Sequence, residues 1–194
     1  MKTDCPPQIG ERCGPEEAAI RLRGRSYVIR PMRPDDEWRL REFFYSHTGE
    51  TIQLRYGYTI RAMTHERAFG LVNVDQQKDV ALGIFEGQGE QQVLDAVGRY
   101  YSDPEGKVAE ISFVVRESKR RCGMAGTLIR QMAEIAHGRG IESFVANVLW
   151  ENEEMRSLFT RFGPSVSSTI GSEWMTYNLE VEKILAFPCR RPVP

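Results

Sequence analysis

Three segments typical of β-strands follow one another over residues 79–117, and the hydrophobic period then changes abruptly at Gly123. These segments cover about residues 79–86, 92–102 and 107–117, with "GQGE" and "DPEG" between them. Short Gly-containing and Asp/Pro-containing connections between β-branched and aromatic runs are typical of antiparallel hairpins. The residues after Gly123 instead repeat their apolar positions with the period of a helix. This order predicts antiparallel strands with a helix packed behind them.

The helix that opens at Gly123 is predicted to end at Gly138 and Gly140, where the chain becomes flexible enough to turn. Its apolar face consists of Leu128, Met132, Ile135 and Ala136. Further along, "IESFVANVLW" (141–150) reads as a strand and "ENEEMRSLFTRFG" (151–163) as a short helix. The apolar side of that short helix consists of Met155, Leu158, Phe159 and Phe162. A last hairpin is predicted from "PSVSSTI" and "EWMTYNLEVE", around Gly171–Ser172.

The N-terminal half adds one strand and several helices. "SYVIRPMR" (26–33) alternates like a strand, and Asp35 is a candidate N-cap for a helix reaching residue 46. The apolar stripe of that helix is Trp38, Leu40, Phe43 and Phe44. Two short helices are predicted in residues 51–63 and 64–74, the second capped by Thr64. The fold class is therefore α+β, with a mixed, mostly antiparallel sheet of six or seven strands flanked by helices.

The predicted core occupies residues 26–181. Residues 1–25 mix Pro, Gly and charge and are expected to form an extension, in which "PEEAAIRLR" is compatible with a helical turn or two. Residues 182–194 are expected to form a C-terminal tail, of which "FPCRRPVP" (187–194) is loose.

The composition argues against nucleic acid and membranes as partners. The 194-residue chain is 41% hydrophobic and 27% charged, with a net charge of -1. A near-neutral chain has no overall field directed at nucleic acid or an anionic membrane. No apolar run approaches the ~20 residues of a membrane helix, and the N-terminus has no secretory signal. A cytoplasmic protein is expected.

The cysteines do not predict a metal site. They are Cys5, Cys13, Cys122 and Cys189, with no CxxC spacing, and only three histidines accompany them. Reduced thiols are the simplest interpretation. A disulfide between Cys5 and Cys13 has no positive support.

The connection before the long helix, "KRRCGMAG", combines basic residues with two glycines. Helix N-termini carry free N–H groups and a positive dipole end, so this turn is suited to an anion. It matches neither GxxxxGK[ST] nor GxGxxG, which argues against a P-loop or a Rossmann site. The alternative is a tight strand-to-helix turn with exposed basic residues. Gly123 and Ala125 allow close approach of a ligand to the backbone, which favours a pyrophosphate.

The order strand, R-x-x-G-x-A, helix, strand, Asn, helix resembles the GNAT superfamily of acyl-CoA-dependent N-acyltransferases. The family's signature Q/R-x-x-G-x-G/A is met by Arg120, Gly123 and Ala125. The downstream pattern N-x-x-A-x-x-L-Y-x-x-x-G resembles "NEEMRSLFTRFG", in which Asn152 and Phe159 occupy the positions of Asn and Tyr.

This resemblance implies acetyl-CoA as co-substrate, no metal, and a sheet splayed at its central strands. It implies that the pantetheine arm binds the main chain of Phe113, Val114 and Val115. The implied pyrophosphate residues are Arg120, Arg121, Cys122, Gly123, Met124, Ala125 and Gly126. Asn152 is either an N-cap or a contact to the CoA arm, and Phe159 is also assigned to the cofactor site. Cys122 is expected to have no chemical role.

A closer resemblance joins "IRPMRPDDEWRLREFF", "QLRYGY", "AEISFVVRES" and "VLWENEEMRSLFTRFG" to the catalytic domain of bacterial Pat-type protein lysine acetyltransferases. Those enzymes acetylate a lysine on acyl-CoA synthetases and other proteins. The glutamate on their strand before the pyrophosphate turn corresponds to Glu110. The resemblance therefore implies a protein lysine as acceptor and Glu110 as catalytic base.

Strand alternation places Glu110, Ser112, Val114 and Arg116 on one face of their strand. A carboxylate among apolar strand residues is expected to be desolvated, which raises its pKa and suits it to remove a proton from an amine. The alternative is a structural ion pair at a strand edge.

Phe159 departs from the family pattern, because many relatives carry a tyrosine there that protonates the leaving thiolate, and phenylalanine has no proton to give. Either the thiolate leaves unaided, or Tyr177 or Ser112 donates. Three functions remain: acetylation of a protein lysine, acetylation of a small amine, and a non-catalytic acyl-CoA sensor. An open, acidic groove in residues 48–75 would favour the first, and a closed pocket the second.

Overall fold

A computed structural model describes residues 16–58 and 60–188. Their strands are β1 (Ala18–Leu22), β2 (Arg25–Pro31), β3 (Val80–Glu86), β4 (Val93–Ser102), β5 (Val108–Val115), β6 (Ser143–Leu149), β7 (Ser165–Ser167) and β8 (Trp174–Glu180). The α-helices are α1 (Glu37–Tyr45), α2 (Gly49–Tyr56), α3 (His65–Val72), α4 (Met124–Gly138), α5 (Glu153–Thr160) and α6 (Val181–Ala186). No described helix is long and apolar enough to cross a membrane.

The described strands form one eight-stranded sheet in the order β1-β2-β3-β4-β5-β6-β8-β7. Every neighbouring pair is antiparallel except β5 and β6, which run parallel. The mixed α+β class is therefore confirmed, with more strands than the six or seven expected. The central segments predicted from the hydrophobic period all appear, with ends shifted by a few residues.

Two helical layers cover the sheet. On one face α4, α5 and α6 enclose a core that includes Leu128, Met132 and Phe159. On the other, α1 and α3 enclose a second core that includes Phe43, Phe44 and Val72. The α4 stripe predicted from its period is confirmed, because three of its four residues are fully buried and Ile135 is partly buried against them.

The expectation of a helical turn before residue 25 is wrong. Residues 18–22 instead form β1, which pairs with β2 through a two-residue turn at Arg23–Gly24. Both turn residues have positive φ, +48° and +80°, as such tight hairpins require. Ile20 and Leu22 pack against the core. The strand forms because its backbone pairs with β2 along its whole length, and these two side chains add a small apolar contact.

The C-terminal tail expected from residue 182 begins as part of the packed domain. These residues belong to α6, where Val181 and Ile184 are buried against the core. Arg130 of α4 donates to the carbonyl oxygens of Leu185 and Phe187, at 3.2 Å each. Cys5, Cys13 and Cys189 lie outside the described residues.

The predicted cap Thr64 is confirmed, since its side chain accepts a hydrogen bond from the Arg67 N–H at 3.2 Å. The predicted cap Asp35 is wrong. A 3₁₀ turn over Pro34–Asp36 precedes α1, so Asp36 occupies the cap position. Its carboxylate binds the Arg30 guanidinium at 2.6 and 2.8 Å instead of the helix N-terminus.

Candidate functional site

The sheet splits at β5. This strand pairs with β6 only from Val108 to Glu110, opposite Ser143 to Val145. Beyond that point β5 continues along β4 as far as Val115, while β6 continues along β8. The two central strands therefore diverge after Glu110, as the family resemblance implied.

The register shows which backbone groups face the gap. The Arg116 N–H donates to the Asp95 carbonyl at 2.8 Å, so Arg116 and Asp95 form a hydrogen-bonded pair of the antiparallel ladder. Because such pairs alternate along the strand, Phe113 and Val115 direct their N–H and C=O groups away from β4. These groups line the side of β5 from which β6 has diverged.

The turn after β5 begins with a 3₁₀ segment at Glu117–Lys119. Arg121 and Gly123 then take positive φ values of +57° and +94°. The first intrahelical bond of α4 runs from the Thr127 N–H to the Gly123 carbonyl, at 3.0 Å. The N–H groups of the preceding helical residues have no carbonyl of the helix to bind. They form the positive end of a 15-residue helix.

A cleft of about 790 Å³, here called the central cleft, lies between the β5 edge, the α4 N-terminus, α2 and α5. Its volume is in the range of ligand sites in proteins. Ten of the residues predicted to hold the cofactor line it: Phe113, Val114, Val115, Arg120, Arg121, Gly123, Met124, Ala125, Gly126 and Asn152.

Basic side chains surround the end of the central cleft next to the α4 N-terminus, but some of them are already engaged by other residues. Lys119 is held by the carboxylates of Glu86 and Asp95. Arg120 donates to Thr51 Oγ1 at 2.6 Å and lies 3.7 Å from Glu154. Arg121 has no ion pair within residues 16–58 and 60–188.

Arg23, in the β1–β2 turn, and Arg161 also line the central cleft. Neither has an ion pair with another described residue. Arg23 was missed from the sequence because the segment before residue 25 was assigned to an extension.

Glu117 joins the turn to α2. Its Oε1 accepts hydrogen bonds from Thr51 Oγ1 at 2.7 Å, Thr48 Oγ1 at 2.8 Å and the Thr48 N–H at 2.9 Å. These bonds, the one from Thr51 above all, lower the pKa of Glu117 to about 2. At neutral pH the ionised Glu117 carboxylate therefore links the N-terminus of α2 to the turn between β5 and α4.

Asn152 fits both roles considered for it. Its side-chain oxygen accepts from the Met155 N–H at 3.2 Å, which is an N-cap of α5. The same residue lines the central cleft.

Glu110 lies at the last paired position of β5 and β6, where the strands begin to separate. Its face of β5 also carries Ser112 and Val114, as predicted from strand alternation. Its side chain is exposed, so the expectation that apolar neighbours desolvate it is wrong. Glu110 is therefore accessible to water, but it is not among the residues that line the central cleft.

Two predicted cofactor residues do not line the central cleft. Phe159 is buried, with its ring centroid 5.5 Å from those of both Phe113 and Tyr177. Cys122 is a half-buried free thiol on the turn. Of the two suggested proton donors, Tyr177 is buried with its hydroxyl 3.9 Å from Met175 Sδ, and Ser112 Oγ accepts from Arg55 at 2.5 Å.

Comparison with known proteins agrees with this geometry. An acetyltransferase of Pseudomonas aeruginosa is 23% identical over 141 residues, which are 72% of this chain and 75% of that protein. The crystal structure of the GNAT domain of S. lividans PAT has a TM-score of 0.75 at 24% identity, covering 84% of this chain and 96% of that one.

The structure of yncA from Salmonella typhimurium, solved with its cofactor acetyl-CoA, has a TM-score of 0.62 at 15% identity. The match covers 87% of this chain and 99% of that one. At these identities the structural matches concern the fold. The family model of the acetyltransferase (GNAT) domain matches residues 27–164. Because that match spans most of the sequence, the chain belongs to the GNAT acetyltransferase domain family.

Proposed function

We propose that this chain is an N-acetyltransferase that transfers the acetyl group of acetyl-CoA to an amine. The observation that carries the proposal is the central cleft, which joins the free N–H groups at the start of α4 to the unpaired edge of β5. A ligand with a diphosphate at one end and a thioester at the other matches both features. The acetyl-CoA in the related yncA structure supports the same assignment.

In this proposal the N–H groups at the start of α4 hold the diphosphate. Arg121 and Arg161 contribute charge, because no described carboxylate pairs with them. The N–H and C=O groups of Phe113 and Val115 bind the pantetheine arm as an added strand would. One of these N–H groups polarises the thioester carbonyl, a contribution of about 3–4 kcal/mol to transition-state stabilisation in other acyl-transfer enzymes.

Glu110 is the proposed base. An alkylammonium has an ordinary pKa of ~10.4 and must lose a proton before its nitrogen can attack. The exposed carboxylate at the point where β5 and β6 separate accepts that proton directly or through a water. The acyl group and the amine are then held together at the same point, which supplies much of the remaining rate.

The leaving thiolate departs unaided in this scheme. Phe159 has no proton to give, and the Tyr177 hydroxyl lies beside Met175 in the core. Ser112 is engaged with Arg55. Departure without an acid is chemically reasonable, because a thiol has an ordinary pKa of ~8.5.

A lysine side chain of a protein, such as an acyl-CoA synthetase, is the first candidate acceptor, on the sequence resemblance to the Pat-type enzymes. A small amine is the alternative. The test is a panel of protein, peptide and small-molecule amines with acetyl-CoA, in which free thiol release is followed. Turnover with any amine supports the enzyme. Tight binding of acetyl-CoA without turnover would instead indicate a sensor.

Replacing Gly123 with alanine tests the diphosphate site. At φ +94° an L-residue is strained by about 1–2 kcal/mol, and the turn must shift to relieve it. The shift moves the N–H groups at the start of α4, so we expect the Kd for acetyl-CoA to rise about tenfold or more, equivalent to losing one charge-assisted hydrogen bond. Isothermal calorimetry measures this change.

Gly171→Ala is the matched control. Gly171 has φ +82° and open space around it, but it lies in the β7–β8 turn away from the central cleft. Both variants should lose similar stability, and only Gly123→Ala should bind acetyl-CoA less tightly. Equal affinities for the two variants would contradict the proposed site.

A further inference from the structure

A second, smaller cavity adjoins the central cleft. It lies beneath α2, between β4, β5 and α1, and shares Thr51, Arg55, Phe113 and Val114 with the central cleft. We call it the arginine pocket, because Arg55 and Arg99 both line it. Its free volume of about 30 Å³ is room for roughly two water-sized atoms. It therefore suits a small group of an acceptor whose amine lies beside Phe113.

Neither guanidinium group has an ion pair with a carboxylate of the described residues, although Arg99 is buried and Arg55 is half-buried. Arg99 is only 5% exposed. Its Nη1 donates to the Leu71 carbonyl near the C-terminus of α3, but its Nη2 is buried with no hydrogen-bond partner. Arg55 is bound to the neutral hydroxyl of Ser112. No aspartate or glutamate is among the described residues that line this pocket.

The pKa shifts of Arg55 and Arg99 agree with a pocket that lacks negative charge. Burial lowers the pKa of both arginines. For Arg99 the nearby charge of Arg55 acts in the same direction, while Tyr101 and Tyr56 oppose the shift without reversing it. The opposing influences on Arg55 come from two tyrosines and from Glu110, whose side chain is exposed. Buried charges in proteins are ordinarily paired. The buried guanidinium of Arg99, next to the half-buried Arg55 and with no carboxylate among the described residues of the pocket, therefore points to an anion supplied from outside.

We propose that the acceptor carries a carboxylate that binds Arg55 and Arg99 in the arginine pocket while its amine reaches the acetyl group beside Phe113. The inference rests on the proposed acetyltransferase function and names the substrate class of that site. A carboxylate matches the planar donors of a guanidinium and fits the small cavity. It belongs either to the amine itself, as in an amino acid, or to an acidic side chain beside the acceptor lysine of a protein.

Matched acceptors test this assignment. One set pairs amino acids with their amides, and the other pairs lysine peptides that carry Glu or Gln beside the lysine. We expect the carboxylate member of at least one set to have a kcat/KM about tenfold or more higher, as loss of a charged hydrogen bond implies. The set that shows the preference identifies the source of the carboxylate. Equal rates within every active pair would overturn the inference.

Variants of the pocket residues test whether Arg55 and Arg99 cause the preference for a carboxylate acceptor. In Arg55→Gln the preference for the carboxylate acceptor over its matched amide should be lost. Arg61→Gln removes an equal charge from an exposed position outside the pocket and should retain the preference. Arg99→Lys keeps the charge but not the planar donors, and should weaken the preference. A preference that survives Arg55→Gln in the folded protein contradicts the inference.

A binding measurement decides the matter even if no acceptor in the panel is acetylated. Acetate and acetamide are titrated separately into the ¹⁵N-labelled protein, and the side-chain Nε–H resonances of Arg55 and Arg99 are followed. Acetate should shift these resonances and acetamide should not. Equal responses to the two probes would overturn the carboxylate pocket, whereas failure of acetyl-CoA to bind in calorimetry would instead refute the proposed function.

Discussion

Replacing Glu110 with glutamine is expected to reduce kcat about 100-fold or more while leaving the KM for acetyl-CoA unchanged. The amide has nearly the same shape as the carboxylate but cannot take a proton from the acceptor's ammonium group. A positioned base contributes roughly 10²–10⁴ in rate. Glu110 lies at the separation of β5 and β6, away from the α4 N-terminus, so its loss should not affect binding of the diphosphate. Steady-state kinetics with the best acceptor of the panel measure both parameters.

Glu105→Gln makes the same chemical change at an exposed position in the connection between β4 and β5 and should leave kcat unaltered. Circular dichroism establishes that both variants are folded. A Glu110→Gln enzyme as fast as the wild type would show that another group, or solvent alone, deprotonates the amine. The proposed acetyl transfer itself would remain, but its base would be wrong.

Replacing Asp36 with asparagine should cost about 3–5 kcal/mol of the free energy of unfolding. Asp36 is fully buried and ion-paired with Arg30 at 2.6 Å and Arg39 at 3.3 Å, while the Arg33 N–H donates to it at 2.9 Å. Asparagine leaves both guanidiniums buried without a counter-charge. Denaturant unfolding measures the loss, which would make this the most destabilising of the substitutions considered.

The Asp36 carboxylate also predicts how the free energy of unfolding depends on pH in acid. Burial opposes ionisation of Asp36, but hydrogen bonds from Arg30 and Arg33 and the charges of Arg30 and Arg39 outweigh it and lower the pKa. A lowered pKa means that the stabilisation is complete above the ordinary value of about 3.9 and is lost as the pH falls below it. The loss of unfolding free energy in Asp36→Asn should therefore be smaller at acidic pH than at neutral pH.

Asp35→Asn is the matched control for this prediction, because Asp35 is the exposed neighbour of Asp36 and has no ion pair within the described part of the chain. It should change the free energy of unfolding by less than about 0.5 kcal/mol. A loss below about 1 kcal/mol in Asp36→Asn would show that the buried arginines find other partners or water.

Local patterns predicted the parts of the fold that depend on neighbouring residues. The periodicity of residues 79–117 and of the helix after Gly123 identified β3, β4, β5 and α4, because each must present one apolar face to a core. The same logic failed for β1, whose residues are mostly exposed and whose strand character depends on pairing with β2. It failed for α6 because a six-residue segment is too short for a periodic signal.

The sequence by itself predicted a turn suited to an anion, since a glycine with positive φ, N–H groups at the start of a helix and basic residues are all local features of one short segment. Only the tertiary structure decided what surrounds it. Lys119 is paired with Glu86 and Asp95 from distant strands, Phe159 lies in the core, and Arg23 reaches the central cleft from the β1–β2 turn. The surroundings of Arg99, which include no carboxylate among the described residues of the pocket, likewise come from elements far apart in the chain. Charge and desolvation depend on every neighbour in space, and a hydrophobic pattern along the chain records only which face of an element is buried.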